Sequence, residues 1–477
     1  MAVALAIGAP TPSRAQQAPA HPAAQSPPST PVPAIASAPV SVPEIRFERY
    51  ALPNGLEVIL HEDHRTPTVS SNIWYHVGSK DEPMGRNGFA HLFEHLMFQG
   101  SRHVPEDTFF LNLERAGGSN INGTTGDDRT NYYETVPSGR LGLALWLESD
   151  RMAYLLDHVN QATLDSQRGV VLNEYRQNYE NAPYGMVSRS IREAIFPVGH
   201  PYHRLPIGTP EDLNAATLED VRAFFRTWYV PNNATLVVAG DFQPAAARQL
   251  IEQYFGPITR GRDVPRQPAP AVVSLARGSQ IDMEASVELP RVYISWPTPS
   301  ALQPGDAELD IVAAVLAEDH SSRLYRRLVH ERQIAQDVEA GQQSQQLGSV
   351  FTIAATARTG HGPDELLAAI DAELALMRTT PVGEPEMARA RTHYVTQIVF
   401  ENERAYRRAD RLNFYNQYTG DAGWLSHDVA RYQNTTAAAI RETVVRYLVA
   451  DRRNVVRVYP TPGAPVSGRV RASGGAQ

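Results

Sequence analysis

Residues 88–98, GFAHLFEHLMF, place three ionisable side chains inside an otherwise apolar run that contains no proline. The apolar residues predict a helix that is largely buried. An ionisable group loses hydration free energy on burial unless a partner replaces the lost water. The chain must therefore fold so that a partner reaches this helix, and a metal ion is one such partner.

The spacing of the three side chains indicates which partner that is. His91 and His95 are four residues apart, so on a helix they project from one face, one turn above the other. Two imidazole nitrogens can then bind a single ion at ~2 Å, and Glu94 can reach a metal-bound water without being a ligand. HxxEH is the reverse of the HExxH zinc motif. The alternative, two surface histidines on an amphipathic helix, fits poorly because Leu92 and Leu96 predict a buried helix.

A catalytic zinc site also needs a third protein ligand. Residues 164–185, LDSQRGVVLNEYRQNYENAPYG, predict a helix through at least their first half. Glu174 is the candidate ligand, on the polar side of this helix, while Val170 and Val171 are expected to pack. A helical glutamate taken alone is usually a solvated surface residue, so this assignment depends on comparison with a family.

Two globular stretches lie between segments of low complexity. Strand-like runs alternate with helical patterns in both stretches, and their similar lengths suggest an internal duplication. Asn54-Gly55 predicts a tight turn between the first two strands. The predicted boundaries are a probable signal-peptide remnant at 1–15, a disordered tether rich in proline and alanine at 16–43, an N-terminal domain at 44–260, a linker at 261–272, a C-terminal domain at 273–463 and a flexible tail at 464–477.

Composition excludes several classes of function. The formal net charge of -8 argues against a nucleic-acid-binding surface, which needs clustered Lys and Arg. The chain has no cysteine, which removes disulfides, thiolate metal ligands and cysteine nucleophiles. No segment after the first residues reaches the ~18 apolar residues that a membrane helix needs.

The first residues resemble a targeting signal. AVALAIGA is apolar but short, and Ser13, Arg14 and Ala15 resemble the end of a signal peptide whose charged start is missing. An alanine-rich terminus without a targeting role is the alternative. We expect an exported, periplasmic protein whose signal peptide is truncated at its start.

Taken together, these segments resemble the pitrilysin, insulinase and mitochondrial processing peptidase family over about residues 47–460. The resemblance rests on the following stretches: LPNGLEVIL, GFAHLFEHLMFQGS, NINGTTGDDRTNYYETVP, RGVVLNE, IGTPEDL and YVPNNATLVVAGDF. It implies an α+β fold of two homologous halves, each a mainly antiparallel sheet packed with helices, which form half of a peptidase chamber. The two domains are then an N-terminal zinc-binding peptidase domain and a C-terminal domain of the same family.

The resemblance also implies the roles of the site residues. His91, His95 and Glu174 would bind one Zn²⁺ per chain, and Glu94 would be the general base that activates the attacking water in peptide hydrolysis. The same donor set would also accept Mn²⁺ or Co²⁺. Family members often carry a second glutamate seven residues before the ligand, and here that position is Gln167, which can still support the ligand through a hydrogen bond.

The substrate is implied to bind as an added strand on a sheet edge. The stretch that contains Asn122 and Thr124 matches the family segment that forms this edge, so both are candidate substrate-binding residues. For Asn122, a turn-forming role before Gly123 is an equal alternative.

Active members of the family also use an Arg and a Tyr from the second-half domain, and here those positions carry Val329 and Gln336. Because losing an oxyanion donor costs ~10²–10³ in rate, we expect a second family chain to supply the pair in a heterodimer, although a homodimer stays open. The functional alternative is a metal-bearing scaffold or peptide-binding subunit that does not cleave. Inert members commonly lose the metal site that this chain retains, which favours a zinc metalloendopeptidase. A structural protein with accidental histidines does not explain the breadth of the resemblance.

Overall fold

The structure is a computed structural model that describes residues 42–266 and 273–463. The predicted signal-peptide remnant, the tether up to residue 41, residues 267–272 of the linker and the 464–477 tail lie outside the described residues. Among the described residues, no helix combines the length and the hydrophobicity that a membrane span requires.

The first half of the chain builds a sheet of six strands with helices against it. Its strands are β1 (Glu48–Ala51), β2 (Glu57–Glu62), β3 (Thr68–Tyr75), β4 (Ser119–Thr125), β5 (Thr130–Pro137) and β6 (Ala234–Gly240). Its helices are α1 (Phe89–Leu96), α2 (Phe109–Arg115), α3 (Leu141–Tyr154), α4 (Gln161–Tyr175), α5 (Val187–Ile195), α6 (Pro210–Ala215), α7 (Leu218–Trp228) and α8 (Pro244–Phe255).

The second half builds a sheet of five strands, also with helices against it. Its strands are β7 (Ser279–Ala285), β8 (Arg291–Thr298), β9 (Ala335–Gln343), β10 (Ser349–Ala357) and β11 (Asn454–Pro460). Its helices are α9 (Asp306–Ala317), α10 (Pro363–Thr379), α11 (Glu384–Glu401), α12 (Ala405–Thr419), α13 (Leu425–Asn434) and α14 (Ala437–Tyr447).

The two sheets share one strand order. Five strands of the first run β2-β6-β3-β5-β4, and those of the second run β7-β11-β8-β10-β9. β2 pairs in parallel with β6 in the first sheet, and β7 pairs in parallel with β11 in the second. The other pairs among these strands are antiparallel. The predicted fold class, two α+β halves with mainly antiparallel sheets, is confirmed.

The helices α1 and α9 occupy equivalent places, after β3 and β8 respectively. Both begin after a glycine in the left-handed region, Gly88 with φ 97° and Gly305 with φ 100°. Counting from these glycines, α9 carries Ile311 and Val312 where α1 carries Glu94 and His95. At the position of His91 it carries Glu308, so the repeated helix lacks both histidines and the glutamate between them.

The strands of the first sheet use their two faces differently. Along β3, Val69, Ile73 and Tyr75 pack into the core with the helices of the first half. On the opposite face, Asn72 and Trp74 donate hydrogen bonds to Asp410 of α12. The polar face is thus covered by a helix from the second half.

Asn54-Gly55 forms the predicted turn between β1 and β2, with Gly55 at φ 90°.

Candidate metal centre and active site

The start of α1 is fixed by a buried carboxylate. Glu82 accepts the backbone N–H groups of Gly88 at 2.9 Å and Ala90 at 2.8 Å, two of the donors that a helix start leaves unpaired. A Cβ at Gly88 would lie 2.6 Å from the carbonyl oxygen of Ile207, so only glycine fits. Sequence reasoning missed Glu82 because it lies six residues before Gly88, outside the spacing of the capping box.

The predicted ligands of α1 and α4 come together. Glu174 Oε2 lies 3.8 Å from His91 Nε2 and 3.4 Å from His95 Nε2. Among the described residues this is the only group of three or more His, Asp or Glu side chains whose ligand atoms all lie within 4.8 Å of one another. Ligand bonds of about 2 Å at tetrahedral angles put ligand atoms about 3.3 Å apart, so the three donors fit one zinc ion.

The protonation states of the cluster also suit a cation. Burial, together with the neighbouring His95, lowers the pKa of His91 to about 4, which leaves a neutral imidazole with a free lone pair. His91 Nδ1 is buried with no hydrogen-bond partner among the described residues. The hydrogen bond from His95 lowers the pKa of Glu174 despite the opposing effect of burial, so this carboxylate is ionised at neutral pH.

The helix that carries Glu174 ends in an irregular turn. A π-helical segment, Arg176–Glu180, follows α4 directly, and such segments are frequent at functional sites. Asn178 of this segment donates a hydrogen bond of 3.4 Å to Glu174 Oε1. Val171 packs as predicted, but Val170 is 44% exposed, so the prediction that it packs was wrong: the buried face of α4 passes through Val171 and not through its neighbour.

Gln167 lies two turns before Glu174 on α4 and is buried. Within the described chain, no hydrogen bond joins the Gln167 amide to the Glu174 carboxylate. Its supporting role stays a prediction.

Glu94 lies between the metal cluster and β4. A Cβ at Gly123 would lie 3.0 Å from Glu94 Cγ, so the strand backbone passes directly over this side chain. Burial raises the pKa of Glu94, while the Thr125 hydroxyl and the charges of His95 and Arg129 oppose that shift. A carboxyl group with a raised pKa can both accept and return a proton near neutral pH.

Strand β4 is the edge of the first sheet, and within residues 42–266 and 273–463 it pairs with β5 alone. Asn122 lies within this strand and is exposed, so the alternative turn role before Gly123 is wrong; the turn of this hairpin lies at residues 126–129. Asn122 and Thr124 line a cavity of about 350 Å³ on the face opposite Glu94. The Thr124 hydroxyl donates to Asn131 Oδ1 at 2.6 Å, so it already has a partner within the sheet.

The two positions where the resemblance implies an Arg and a Tyr lie in different surroundings. Val329 is buried in the second-half core, in a π-helical segment, Tyr325–Glu331. Gln336 is exposed on β9. The nearby Arg323 is paired with Glu386 at 2.7 Å. These positions offer neither a guanidinium nor a phenol to a substrate.

Two family models match the chain. The model described as Insulinase (Peptidase family M16) covers residues 57–199, and the model described as Peptidase M16 inactive domain covers residues 215–394. The first contains α1, β4 and α4, and the second contains α9 and β9.

Three similar proteins match this chain over different shares of their own length. The zinc protease PqqE of Helicobacter pylori is 28% identical over 71% of this chain and 76% of its own. The probable zinc protease PqqL of Escherichia coli is 30% identical over 42% of this chain and only 22% of its own. The beta subunit of the mitochondrial-processing peptidase of Blastocladiella emersonii is 25% identical over 46% of each chain.

Solved structures agree with the fold. The crystal structure of a protease from Helicobacter pylori superposes with a TM-score of 0.81 at 24% identity, over 87% of this chain and all of that one. The periplasmic protease PqqL from Escherichia coli superposes with a TM-score of 0.72 at 18% identity, over 91% of this chain and 50% of that one.

Proposed function

The chain belongs to the peptidase M16 (insulinase) family, and from that premise we propose that it is the zinc-bearing subunit of a metalloendopeptidase that hydrolyses peptides or unfolded polypeptide segments. The observation that carries the proposal is the meeting of His91, His95 and Glu174 beside the half-buried Glu94, under the open edge of β4.

The donor set suits zinc: two neutral imidazoles and one carboxylate. When bound there, zinc would supply a Lewis acid that lowers the pKa of a bound water and polarises a carbonyl group. Glu94 accepts a proton from the attacking water and donates it to the leaving amine nitrogen. Its raised pKa supports both roles, because the carboxylate is a stronger base than an exposed glutamate and accepts the proton more readily before returning it.

The substrate binds as an extended segment along β4. The outer N–H and C=O groups of an edge strand are free to pair with another chain. Asn122 is exposed beside this edge and contacts the substrate backbone, while Thr124 orients the strand through its bond to Asn131. The edge passes directly over Glu94, so the bound segment lies next to the general base.

A second family chain completes the site with an Arg and a Tyr. Val329 and Gln336 cannot supply them, and the chain superposes on half of the solved PqqL chain. A second chain of the same fold would therefore give an assembly of PqqL size, with the two chains enclosing a chamber. The name of PqqL as a periplasmic protease, together with the N-terminal signal-like pattern, supports a periplasmic location.

The test is hydrolysis of a quenched fluorescent peptide by the purified chain, alone and mixed with a second family chain that carries the Arg and the Tyr. We expect little cleavage alone, strong cleavage in the mixture, and a loss of ~10²–10⁴-fold for Glu94→Gln at unchanged zinc content. Glu114→Gln, at an exposed glutamate of α2, is the control. Full activity of the single chain would refute the dependence on a partner.

Absence of cleavage in every mixture, with zinc bound, would instead favour a metal-bearing scaffold or peptide-binding subunit. Metal analysis of the purified chain distinguishes zinc from Mn²⁺ or Co²⁺ and tests the stoichiometry of one ion per chain. His91→Ala should lose the ion, since it removes one of three protein ligands.

A further inference from the structure

The turn between β4 and β5 is buried although it carries two adjacent carboxylates. Asp127 and Asp128 are 4% and 5% exposed, and a hydrogen bond of 3.0 Å from the Gly126 N–H to the Arg129 carbonyl closes the turn. Carboxylates this deeply buried need donors that replace their lost hydration. The origin of those donors shows what the turn is attached to.

Most donors to Asp128 come from the second half of the chain. The Tyr418 hydroxyl of α12 donates to Oδ2 at 2.8 Å, and the Gln346 N–H donates to the same oxygen at 3.0 Å. Gln417 donates to the backbone carbonyl of Asp128 at 2.9 Å. Tyr202, from the first half, donates to Oδ1. One side chain is thus held between α12 and the loop that joins β9 to β10.

Tyr202 extends the same connection. Its hydroxyl donates to Asp128 and accepts the Leu347 N–H at 2.9 Å. Burial and the charge of Asp128 raise the pKa of this tyrosine, so it stays a neutral donor. The loop between β9 and β10 is therefore bound to the turn both directly and through Tyr202.

Asp127 is tied down in a similar way. It forms an ion pair with Arg192 of α5 and accepts the Ser79 hydroxyl at 3.0 Å. The Gln345 amide, again from the second half, also donates to it. No part of this turn can move without breaking bonds to several elements.

The turn directly follows β4, the strand that passes over Glu94. Arg129 donates to the Thr124 carbonyl at 2.7 Å. The Thr125 hydroxyl of β4 donates to the Ala90 carbonyl of α1 at 3.5 Å, and a Cβ at Gly123 would lie 3.0 Å from Glu94 Cγ. A shift of the turn would therefore move β4 relative to Glu94.

We propose that Asp128 is a positioning residue through which the second half of the chain fixes β4 against Glu94, so that a substrate strand paired with β4 presents its scissile bond to the metal centre. The proposal rests on the proposed function for its catalytic part. Asp128 does not contact the substrate. It acts through the strand that does.

The test uses Tyr418→Phe, which removes one hydroxyl from Asp128 and leaves the metal cluster and Glu94 intact. The matched control is Tyr432→Phe, which removes a hydroxyl bonded at 2.7 Å to a different carboxylate, Asp310, within the second half. The first measurement is amide hydrogen exchange over residues 119–125 in the full, zinc-loaded chain. We expect amide exchange about tenfold faster in Tyr418→Phe, because the variant loses about one hydrogen bond to a charged group. We expect no change in the control.

The second measurement is peptide cleavage by each variant with the partner chain, separating kcat from KM and mapping the bonds cut. Tyr418→Phe should lower kcat about tenfold at unchanged zinc content and should spread cleavage to neighbouring bonds. A variant with altered thermal stability alone would not change the cleaved bond. Tyr202→Phe, which removes the donor to the other oxygen of Asp128, should repeat the effect from the first half.

Unchanged exchange of β4 in Tyr418→Phe, or an equal change in the control, would overturn the proposal. Faster exchange of β4 at wild-type kcat and wild-type cleavage positions would also overturn it, because the bond from Tyr418 to Asp128 would then have a structural role only. If the wild-type mixture does not cleave, the proposed function fails. The exchange data still decide whether Asp128 holds β4.

Discussion

At the scale of single residues, the site depends on how closely β4 approaches Glu94. Gly123 allows the strand backbone to lie against this carboxyl group, with the Phe98 and Tyr132 rings on either side. The lost hydration raises the pKa of Glu94, and Thr125 and Arg129 limit the rise. Gly123, which has no side chain, therefore lets the backbone of β4 desolvate the Glu94 carboxyl group.

Gly123→Ala should lower peptide cleavage more than it lowers stability. The added Cβ would lie 3.0 Å from Glu94 Cγ and 3.1 Å from each neighbouring ring, so the strand or the base must shift. Misplacement of a catalytic group by about 1 Å can cost ~10²-fold in rate. kcat/KM and the thermal midpoint are the measurements. Gly139→Ala, where the new Cβ meets no atom within 4 Å, is the control, and an equal loss in both variants would contradict the argument.

At the scale of elements, β5 and α3 share a buried polar group behind the site. Glu134 and Glu148 are 1% and 0% exposed. Arg151 forms an ion pair with Glu148, whereas the Glu134 carboxyl oxygens have no hydrogen-bond partner among the described residues. Burial and repulsion by Glu148 raise the pKa of Glu134. Two carboxylates beside one guanidinium are best accommodated when one of them carries a proton.

This group should make stability depend on pH. The folded-state pKa of Glu134 lies above its unfolded value of ~4.3, so its contribution to stability is complete below that pH and is lost as pH rises through the folded pKa. Glu134→Gln lacks this dependence. We expect the thermal midpoint of the variant, relative to wild type, to rise as pH increases above the unfolded-state pKa of ~4.3. A constant difference would show that Glu134 is already ionised.

At the scale of the whole molecule, one sheet topology occurs twice, but α9 of the second copy lacks the two histidines that α1 carries in the first. Ile311 and Val312 of α9 are fully buried in the second-half core, where a metal ligand would have no function. The second half instead supplies α12 and the loop between β9 and β10, which hold the first sheet and its edge turn. The second half therefore contributes hydrogen bonds to the half that carries the candidate metal cluster.

Zinc removal should lower stability without unfolding the chain, because both hydrophobic cores are formed by side chains. At a free zinc concentration ~100 times Kd the ion adds about 2.7 kcal/mol to the free energy of unfolding. We expect chelation to lower the thermal midpoint of wild type while the far-ultraviolet circular dichroism at room temperature is kept. His91→Ala should show no response to the chelator, and an equal response would place the ion elsewhere.

Features that depend on the spacing of nearby residues could be predicted from the sequence. Features that depend on hydrogen-bond donors far away along the chain could not. The histidines of α1 and the two-half fold follow from periodic patterns and family segments. Val170 was misjudged because adjacent apolar residues leave the buried face of a helix ambiguous. Asp128 could not be recognised, since its partner Tyr418 is 290 residues away along the chain.

The open edge of β4 has a consequence for solubility. An unpaired strand edge can also pair with another copy of the chain and lead to aggregation. The pairing of β4 with β5 is interrupted between Ser119 and Asn122, and Asn120 there has a left-handed φ of 49°. Such a bulge bends the strand and leaves only a short regular edge. We expect this edge to pair with a short extended peptide more readily than with a long flat strand of another copy of the chain.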